Sequence, residues 1–321
     1  MEQQRIRAET PSRVAVIFGG AGFIGRHLAP WLAAHGWAVR VAARHPPPSD
    51  RIVSLAVDLA DEDQVRRAVG GAEAVVNLVG LARERGQSFR AVHVDAAARL
   101  ARLAAAAGVK RLLHVSALGI AADAPAAADR TKAEGEVAVW EAFPAATLVR
   151  PSLVYGPGDH FFGRFAALAA RSPVLPVLGG GRTRFQPIHV ADAVQALHAL
   201  LEQPGTAGTT FALVGSETFT FRELLAHMLA ALGQRRLILS LPFGPAEALA
   251  AGLERLSSDP PLTREEVRLL RTDKLAGGLP TPPGSASRRG RSGRGCCRIR
   301  SAQAVERRAR NPNRGGATAR R

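Results

Sequence analysis

Five apolar residues, Val14-Ala15-Val16-Ile17-Phe18, run straight into Gly19-Gly20-Ala21-Gly22-Phe23-Ile24-Gly25, and no other stretch constrains the fold as tightly. A continuous apolar run that ends in glycines is the pattern of a strand buried on both faces, as in a parallel sheet. The next segment, to about Ala34, reads as a helix closed by Gly36. Within the junction Gly19 allows a tight turn, Gly22 lets backbone approach a pyrophosphate, and Gly25 lets the helix pack on the strand. The helix N-terminus then offers free N–H groups to the phosphates. An ordinary glycine turn is the alternative, but the loop follows a strand and opens a helix inside a repeating pattern.

That pattern continues along the chain. Strands are predicted over Ala38 to Ala42, Ile52 to Val57, Ala74 to Val79, Arg111 to Val115 and Thr147 to Val149. Helices are predicted over Glu62–Val69, Phe89 to Ala107 and Lys132 to Phe143. Strands alternating with helices at this spacing predict an α/β fold, a doubly wound parallel sheet of the Rossmann type over residues 13–150. Pro30 falls inside the first helix and is expected to kink it. From 151 to 278 the pattern loosens into a smaller mixed lobe, with some later segments returning to the sheet. Helices are expected over Phe161–Arg171 and Val190–Leu201, and a strand over Phe211–Val214. Thr220-Phe221-Arg222-Glu223 and Thr263-Arg264-Glu265-Glu266 are capping boxes, each opening a helix. Asp61, Glu62 and Asp63 suit a helix N-terminus better than catalysis.

Charge divides the chain unevenly. Of the formal +16, +11 falls in residues 279–321, which hold twelve Arg and one Glu, and +5 is left for residues 1–278. The 279–321 segment is rich in Ser, Gly, Pro and Arg and poor in apolar residues, so it is predicted to be disordered. Its composition also resembles GC-rich coding DNA read in a shifted frame, which resequencing around codon 279 tests. The Arg-rich tail has no interleaved aromatics and suits salt-sensitive, non-specific polyanion binding, not specific nucleic-acid recognition. Cys296 and Cys297, the only cysteines, lie there too, so residues 1–278 have no disulfide and no thiolate metal site. The nine histidines include His189 and Asp192, three apart, but no third ligand is evident and no metal is expected. There is no secretory signal in Met1 to Arg13 and no run of about 20 apolar residues. A cytoplasmic protein is expected.

The candidate site residues follow from the strand ends. Arg44, 19 residues beyond Gly25, stands where an acid would hold the ribose hydroxyls of NAD(H) and where a cation would hold the 2′-phosphate of NADP(H). NADP(H) is therefore favoured, with a merely solvated Arg44 as the alternative. Asp58 and Leu59, after the third strand, are candidates for the adenine. Asn77, Leu78, Val79 and Gly80, after the fourth, are candidates for the central ribose. For both groups a plain strand-end turn stays open.

Ser116 ends the fifth strand and Lys132 lies on the following helix. The placement resembles that in short-chain dehydrogenases, and the resemblance implies a tyrosine four residues before the lysine, which lowers the phenol's pKa so that it exchanges a proton as hydride moves. Here that position is Ala128, and Tyr155, the only tyrosine, lies beyond the sixth strand. No catalytic residue is assigned. Ser116 and Lys132 read as vestigial, able to cap the pocket and hold the nicotinamide ribose.

These residues resemble the extended and atypical short-chain dehydrogenase/reductase superfamily, which includes NAD-dependent epimerases and dehydratases. The likeness covers about residues 13–275. It rests on Phe18-Gly-Gly-Ala-Gly-Phe-Ile-Gly-Arg26, Val76-Asn-Leu-Val-Gly80, His114-Val-Ser-Ala117 and Arg130-Thr-Lys-Ala-Glu-Gly135. More specific are Arg150-Pro-Ser-Leu-Val-Tyr-Gly-Pro157, Ser172-Pro-Val-Leu-Pro176, Gly179-Gly-Gly-Arg-Thr-Arg-Phe-Gln-Pro187 and Pro261-Leu-Thr263, which are similar to the nucleotide-binding accessory subunits of respiratory complex I (NADH:ubiquinone oxidoreductase). The resemblance implies that Phe23, Ile24, Pro151 and Val154 also touch the dinucleotide. It implies a structural NADP(H) that is not turned over, complex I subunits as partners, and peripheral association with the cytoplasmic face of the inner membrane. The alternatives are an active reductase, epimerase or dehydratase on a nucleotide-sugar or quinone-like substrate, and a polyanion-binding protein acting through the tail.

Overall fold

The structure, a computed structural model, describes residues 13–49 and 52–283. Its first half is β1 (Arg13–Phe18), α1 (Gly25–Ala34), β2 (Trp37–Ala43), β3 (Val53–Ala56), α2 (Glu62–Val69), β4 (Ala74–Asn77), α3 (Ala96–Ala106), β5 (Arg111–Val115), α4 (Ala127–Ala142) and β6 (Thr147–Pro151). The second half is β7 (Val154–Tyr155), α5 (His160–Arg171), β8 (Val174–Leu178), β9 (Arg184–Phe185), β10 (Ile188–His189), α6 (Val190–Glu202), β11 (Thr210–Leu213), β12 (Phe219–Thr220), α7 (Phe221–Ala231), β13 (Leu237–Leu241), α8 (Phe243–Leu256) and α9 (Arg264–Leu269).

Seven strands form one parallel sheet in the order β11-β6-β5-β4-β1-β2-β3. The order reverses between β1 and β4, and the crevice that opens there, beyond the strands' C-terminal ends, is the ligand-binding position of such sheets. The apolar runs read from the sequence are buried on both sides. Ile17, Leu28, Leu32 and Leu197 pack on the face covered by α1 and α6. Val16, Phe18, Val65 and Leu100 pack on the face covered by α2, α3 and α4. Each such side chain contributes about 1.5–3 kcal/mol by leaving water. The smaller lobe has its own core around Phe162, Phe221, Leu224 and Met228.

The local signals act as their chemistry requires. Asp61 caps α2, its carboxylate accepting the Asp63 and Gln64 amides at 3.0 Å each. Thr220 and Thr263 each form a complete capping box. Pro30 lies within α1 on its exposed side, where water can satisfy the carbonyl its ring leaves without a donor. α6 and β11 belong to the large sheet layer, which completes that layer from beyond residue 151.

Three expectations are corrected. α4 begins at Ala127, not Lys132, so Ala128 and Lys132 lie one turn apart on the same helix. The helix expected over Phe89 to Ala107 contains a π-helical turn, Ala91–Asp95, where the Ala96 amide reaches back to the Ala91 carbonyl. The packed chain also continues past Leu279: the Pro280 carbonyl accepts the Ala212 amide of β11 at 2.8 Å, and Pro282 is buried. The rest of the tail expected to be disordered, 284–321, lies outside the described residues. β7, β8, β9, β10, β12, β13 and α8 fall outside the expected elements: β7, β9, β10 and β12 are two residues long, β8 and β13 lack polar–apolar alternation, and α8 follows Pro242 without a capping side chain.

Candidate functional site

The glycine loop closes the C-terminal end of β1. Gly19 takes φ +75°, and its amide binds the Ala42 carbonyl at 3.0 Å, which ties the turn to β2. A Cβ on Gly25 would overlap the Cα of Gly20, so the third glycine lets α1 close onto the loop itself. A Cβ on Gly22 would meet only the Gly19 carbonyl, at 3.1 Å. The fold therefore leaves open space over Gly22, the position at which a diphosphate needs bare backbone. The Arg26 guanidinium donates to the Gly158 carbonyl at 2.8 Å, and this bond fixes the start of α1 against the Tyr155-Gly-Pro-Gly158 turn.

Beside the loop lies a cleft of about 370 Å³. Ile24, Leu78, Val79, Gly80, Ser116, Lys132 and Pro151 line it, and all seven were candidate ligand contacts from the sequence. Ala128 lines it too, so the wall that would carry a phenol carries a methyl group. Tyr155 does not line it. Its ring is buried in the smaller lobe, edge-on to Phe162 and His189.

Ser116 and Lys132 are the cleft's polar groups of interest. The Ser116 hydroxyl is buried with no hydrogen-bond partner. Such a group is costly unless a ligand satisfies it, so an orphan donor in a cleft wall marks a ligand's place. Burial lowers the pKa of Lys132, and the nearby Lys274 lowers it further, while Asp129 and Glu136 oppose the shift. The Lys274 ammonium meets the buried Asp129 carboxylate at 2.8 Å, and the Lys274 carbonyl accepts from the Ser152 hydroxyl at 2.8 Å. The segment after α9 is thus strapped across α4 next to Lys132. Glu136, one turn beyond Lys132, is buried and paired with Arg150 of β6 at 2.9 Å. No carboxylate lines the cleft among the described residues, so its polar wall suits an electron-rich ligand.

Two further lining residues, His93 and His114, escaped the sequence reading. His114 Nδ1 accepts from the Asn77 amide at 3.0 Å. Asn77 Oδ1 in turn accepts the Val79 amide at 3.0 Å, so Asn77 braces β4 and β5. His93 Nε2 accepts the Leu81 amide at 3.0 Å, and His93 Nδ1 pairs with the Thr131 hydroxyl at 2.9 Å. Each imidazole is therefore held neutral. Burial, with the Lys132 charge adding to it, pushes both pKa values down to about 4. The one available signal was the placement of His114 at the C-terminal end of a parallel strand. His93 gave none, because the π-helical turn that positions it has no sequence mark.

The remaining candidates lie elsewhere. Arg44 stands exposed just past β2, on the β2–β3 side of the glycine loop. Asp58 and Leu59 are on that side as well. Asp58 accepts the Ala60 amide at 2.9 Å, and Leu59 packs against the core beneath α2 and α3. Phe23 packs on the α1 face of the core, and so does Val154, which pairs with β10; neither lines the cleft. His189 caps α6 by accepting the Ala191 amide at 3.2 Å. Among the described residues no group of three metal-ligating side chains comes together, and no helix is long and apolar enough to cross a membrane.

Residues 15–213 match the model of the NAD dependent epimerase/dehydratase family. The chain is 32% identical over 282 residues to NADH dehydrogenase (ubiquinone) 1 alpha subcomplex subunit 9 of Arabidopsis thaliana, a match covering 84% of this chain and 70% of that protein. It is 36% identical over 237 residues to a ceramide reductase of Caulobacter vibrioides, covering 71% and 74%. Among solved structures, MoeE5 in complex with UDP-glucuronic acid and NAD aligns with a TM-score of 0.66 at 18% identity, over 91% of this chain and 99% of that one. At that identity the likeness is one of fold.

Proposed function

This chain belongs to the NAD dependent epimerase/dehydratase family, and we propose that it binds NADP(H) as a lasting structural cofactor, as an accessory subunit of respiratory complex I or a close counterpart of one. Its cofactor class is a nicotinamide dinucleotide. Arg44 at the tip of β2 favours the 2′-phosphorylated form, since no acid occupies that place. The observation that carries the structural role is Ala128, in the cleft wall one turn before Lys132. Ser116 and Lys132 line the same cleft and are the groups that would hold the ribose and the nicotinamide, while the position that would carry the proton-exchanging phenol is Ala128. A dinucleotide held this way braces the glycine loop, β4, β5 and α4 together. The relatives named as complex I subunits support the partner, and the proposed location is the cytoplasmic side of the inner membrane, on the membrane's periphery.

The test is native mass spectrometry of the purified protein. Stoichiometric NADPH that survives dialysis and is not oxidised by added carbonyls or quinones supports the reading. Protein that purifies free of dinucleotide and binds none refutes it.

The ceramide reductase relative favours a second reading, an active reductase whose substrate carries its carbonyl on an apolar body. Leu78, Leu81, Ala82 and Leu269 give the cleft apolar walls, and the Ser116 hydroxyl is free to bind a carbonyl oxygen. NADPH oxidation with such a substrate separates the two readings.

A further inference from the structure

The smaller lobe contains a two-stranded parallel sheet whose two faces have different surroundings. β8 and β13 pair in register as Val174 with Leu237, Leu175 with Ile238, Pro176 with Leu239, Val177 with Ser240 and Leu178 with Leu241. Side chains alternate along a strand, so Leu175, Val177 and Ile238 share one face, and that face is packed on the lobe's core. The opposite face is a ladder of Val174, Pro176 and Leu178 beside Leu237, Leu239 and Leu241, apolar at every position. Among the described residues its far end is covered, where Leu178 and Leu241 meet the start of α8, and Val174 at the near end is half-buried. Leu237 is 64% exposed and Leu239 56%, and Pro176 is exposed beside them. Leu249 and Leu256, on α8, are exposed as well.

A sheet face of this kind normally alternates with polar residues when it faces water. Its open end is also fringed with positive charge. Because the strands are parallel, both enter from the same end, and the residues leading into them are Arg171 before β8 and Arg235 and Arg236 before β13. Arg171 and Arg235 are exposed.

We propose that the outer face of the β8–β13 sheet is a membrane-docking surface, with Leu237, Leu239 and Pro176 entering the headgroup–acyl boundary of an anionic lipid surface and the exposed Arg171 and Arg235 engaging its phosphates. Charge complementarity selects this occupant, since apolar side chains ringed at one end by arginine are what an anionic bilayer surface accepts. Patch size points the same way. A stable dimer needs about 800 Å² from each partner, contributed by some 20–30 residues, and the uncovered part of the ladder is only a few side chains wide. Peripheral lipid binding sums a few such side chains with a few charges. The surface lies away from the cleft and does not depend on what the cleft binds.

The test is flotation of the full-length protein with vesicles of phosphatidylcholine alone and with added phosphatidylglycerol, at low and high salt. The Arg-rich segment beyond 283 is common to every variant, and high salt screens its attraction. Wild type is expected to float with the anionic vesicles and to keep part of its binding in high salt. Leu237→Ser with Leu239→Ser should lower binding about tenfold or more and abolish the salt-resistant part. Arg171→Gln with Arg235→Gln should lower binding at low salt by about fivefold per charge. Circular dichroism and dinucleotide affinity should match wild type in both variants. Equal flotation of wild type and the leucine variant overturns the proposal. A wild-type dimer in sedimentation that becomes monomeric in the leucine variant also overturns it, in favour of a second copy on this face. Neither result bears on the dinucleotide reading.

Discussion

Gly135 on α4 faces the carbonyl of His93 so closely that a Cβ placed on it would overlap that oxygen. The π-helical turn Ala91–Asp95 swings the carbonyl toward α4, and only a glycine lets α4 approach. This contact sets the depth of α4 against α3. It thereby sets the positions of Lys132 and Thr131, one on the cleft and the other holding the His93 ring.

Gly135→Ala should therefore cost stability beyond the usual helix-propensity gain from alanine. Overpacking of this kind costs about 1–3 kcal/mol, and dinucleotide affinity should fall with it because Lys132 moves. Gly163→Ala on α5, where a Cβ would meet nothing within 4 Å, is the control and should be neutral or slightly stabilising. Thermal melts and binding isotherms of the two variants check this. Two indistinguishable variants would mean that the close approach carries no weight.

The second prediction separates binding from folding in the glycine loop. Gly22→Val should abolish dinucleotide binding and leave the far-ultraviolet circular dichroism unchanged, because the added side chain points into the space left for a pyrophosphate. Gly25→Val should instead disrupt the fold, since its side chain would overlap the loop backbone at Gly20. Retained binding in Gly22→Val would place the phosphates elsewhere.

Arg44→Ala should remove the preference for NADP(H). A charge-assisted hydrogen bond to a 2′-phosphate is worth about 1.5–3 kcal/mol, so NADP(H) affinity should fall tenfold or more while NAD(H) affinity stays constant. Calorimetry with both dinucleotides on wild type and variant reads this directly. Equal affinities in the wild type would show that Arg44 is only solvated.

His93 and His114 give the protein an acid sensitivity whose sign is fixed. Their folded pKa values are about 4, below the ordinary 6.5. Between those values the unfolded chain binds protons that the folded chain refuses, so stability is complete above about pH 6.5 and is lost as pH falls toward 4. The loss is on the order of 3 kcal/mol for each ring, since both are buried and shifted alike. Urea titrations at a series of pH values, with the cofactor removed, should show a positive slope of stability against pH across this window. A flat profile would mean that the two rings are not held neutral by burial.

Much of this architecture was legible in the sequence wherever the determinants are local. The strand-to-glycine junction, the Asp61 cap and the Thr220 and Thr263 boxes are each set by a dozen consecutive residues or fewer. The gap at Ala128 was legible through the family resemblance, which implies a tyrosine four residues before Lys132. What escaped depends on contacts between distant segments. His93 is positioned by Leu81 and by Thr131, and the Lys274 strap by Asp129, 145 residues earlier in the chain. β8 and β13 lack the alternation that marks a strand, because one face is packed on a core and the other is apolar as well, with Leu237 and Leu239 exposed.

The last prediction concerns turnover. The cleft keeps the Ser116 hydroxyl, unpartnered, and Lys132, with its pKa lowered by burial, yet Ala128 can neither give nor take a proton. Loss of a positioned acid/base lowers a rate by about 10²–10⁴, so the purified protein should oxidise NADPH no faster than residual hydride transfer through water allows. Tyr155 does not compensate, because its ring is buried beside Phe162 in the smaller lobe. Tyr155→Phe should consequently change nothing in a screen of carbonyls, quinones and nucleotide sugars. Ala128→Tyr restores a phenol one helical turn before Lys132 and should raise turnover on any carbonyl the cleft admits, by up to the same factor. Robust wild-type turnover that survives Tyr155→Phe would mean that another group moves the proton, and turnover lost in that variant would mean that Tyr155 reaches the cleft. Either result would favour the reductase reading over the structural-cofactor one.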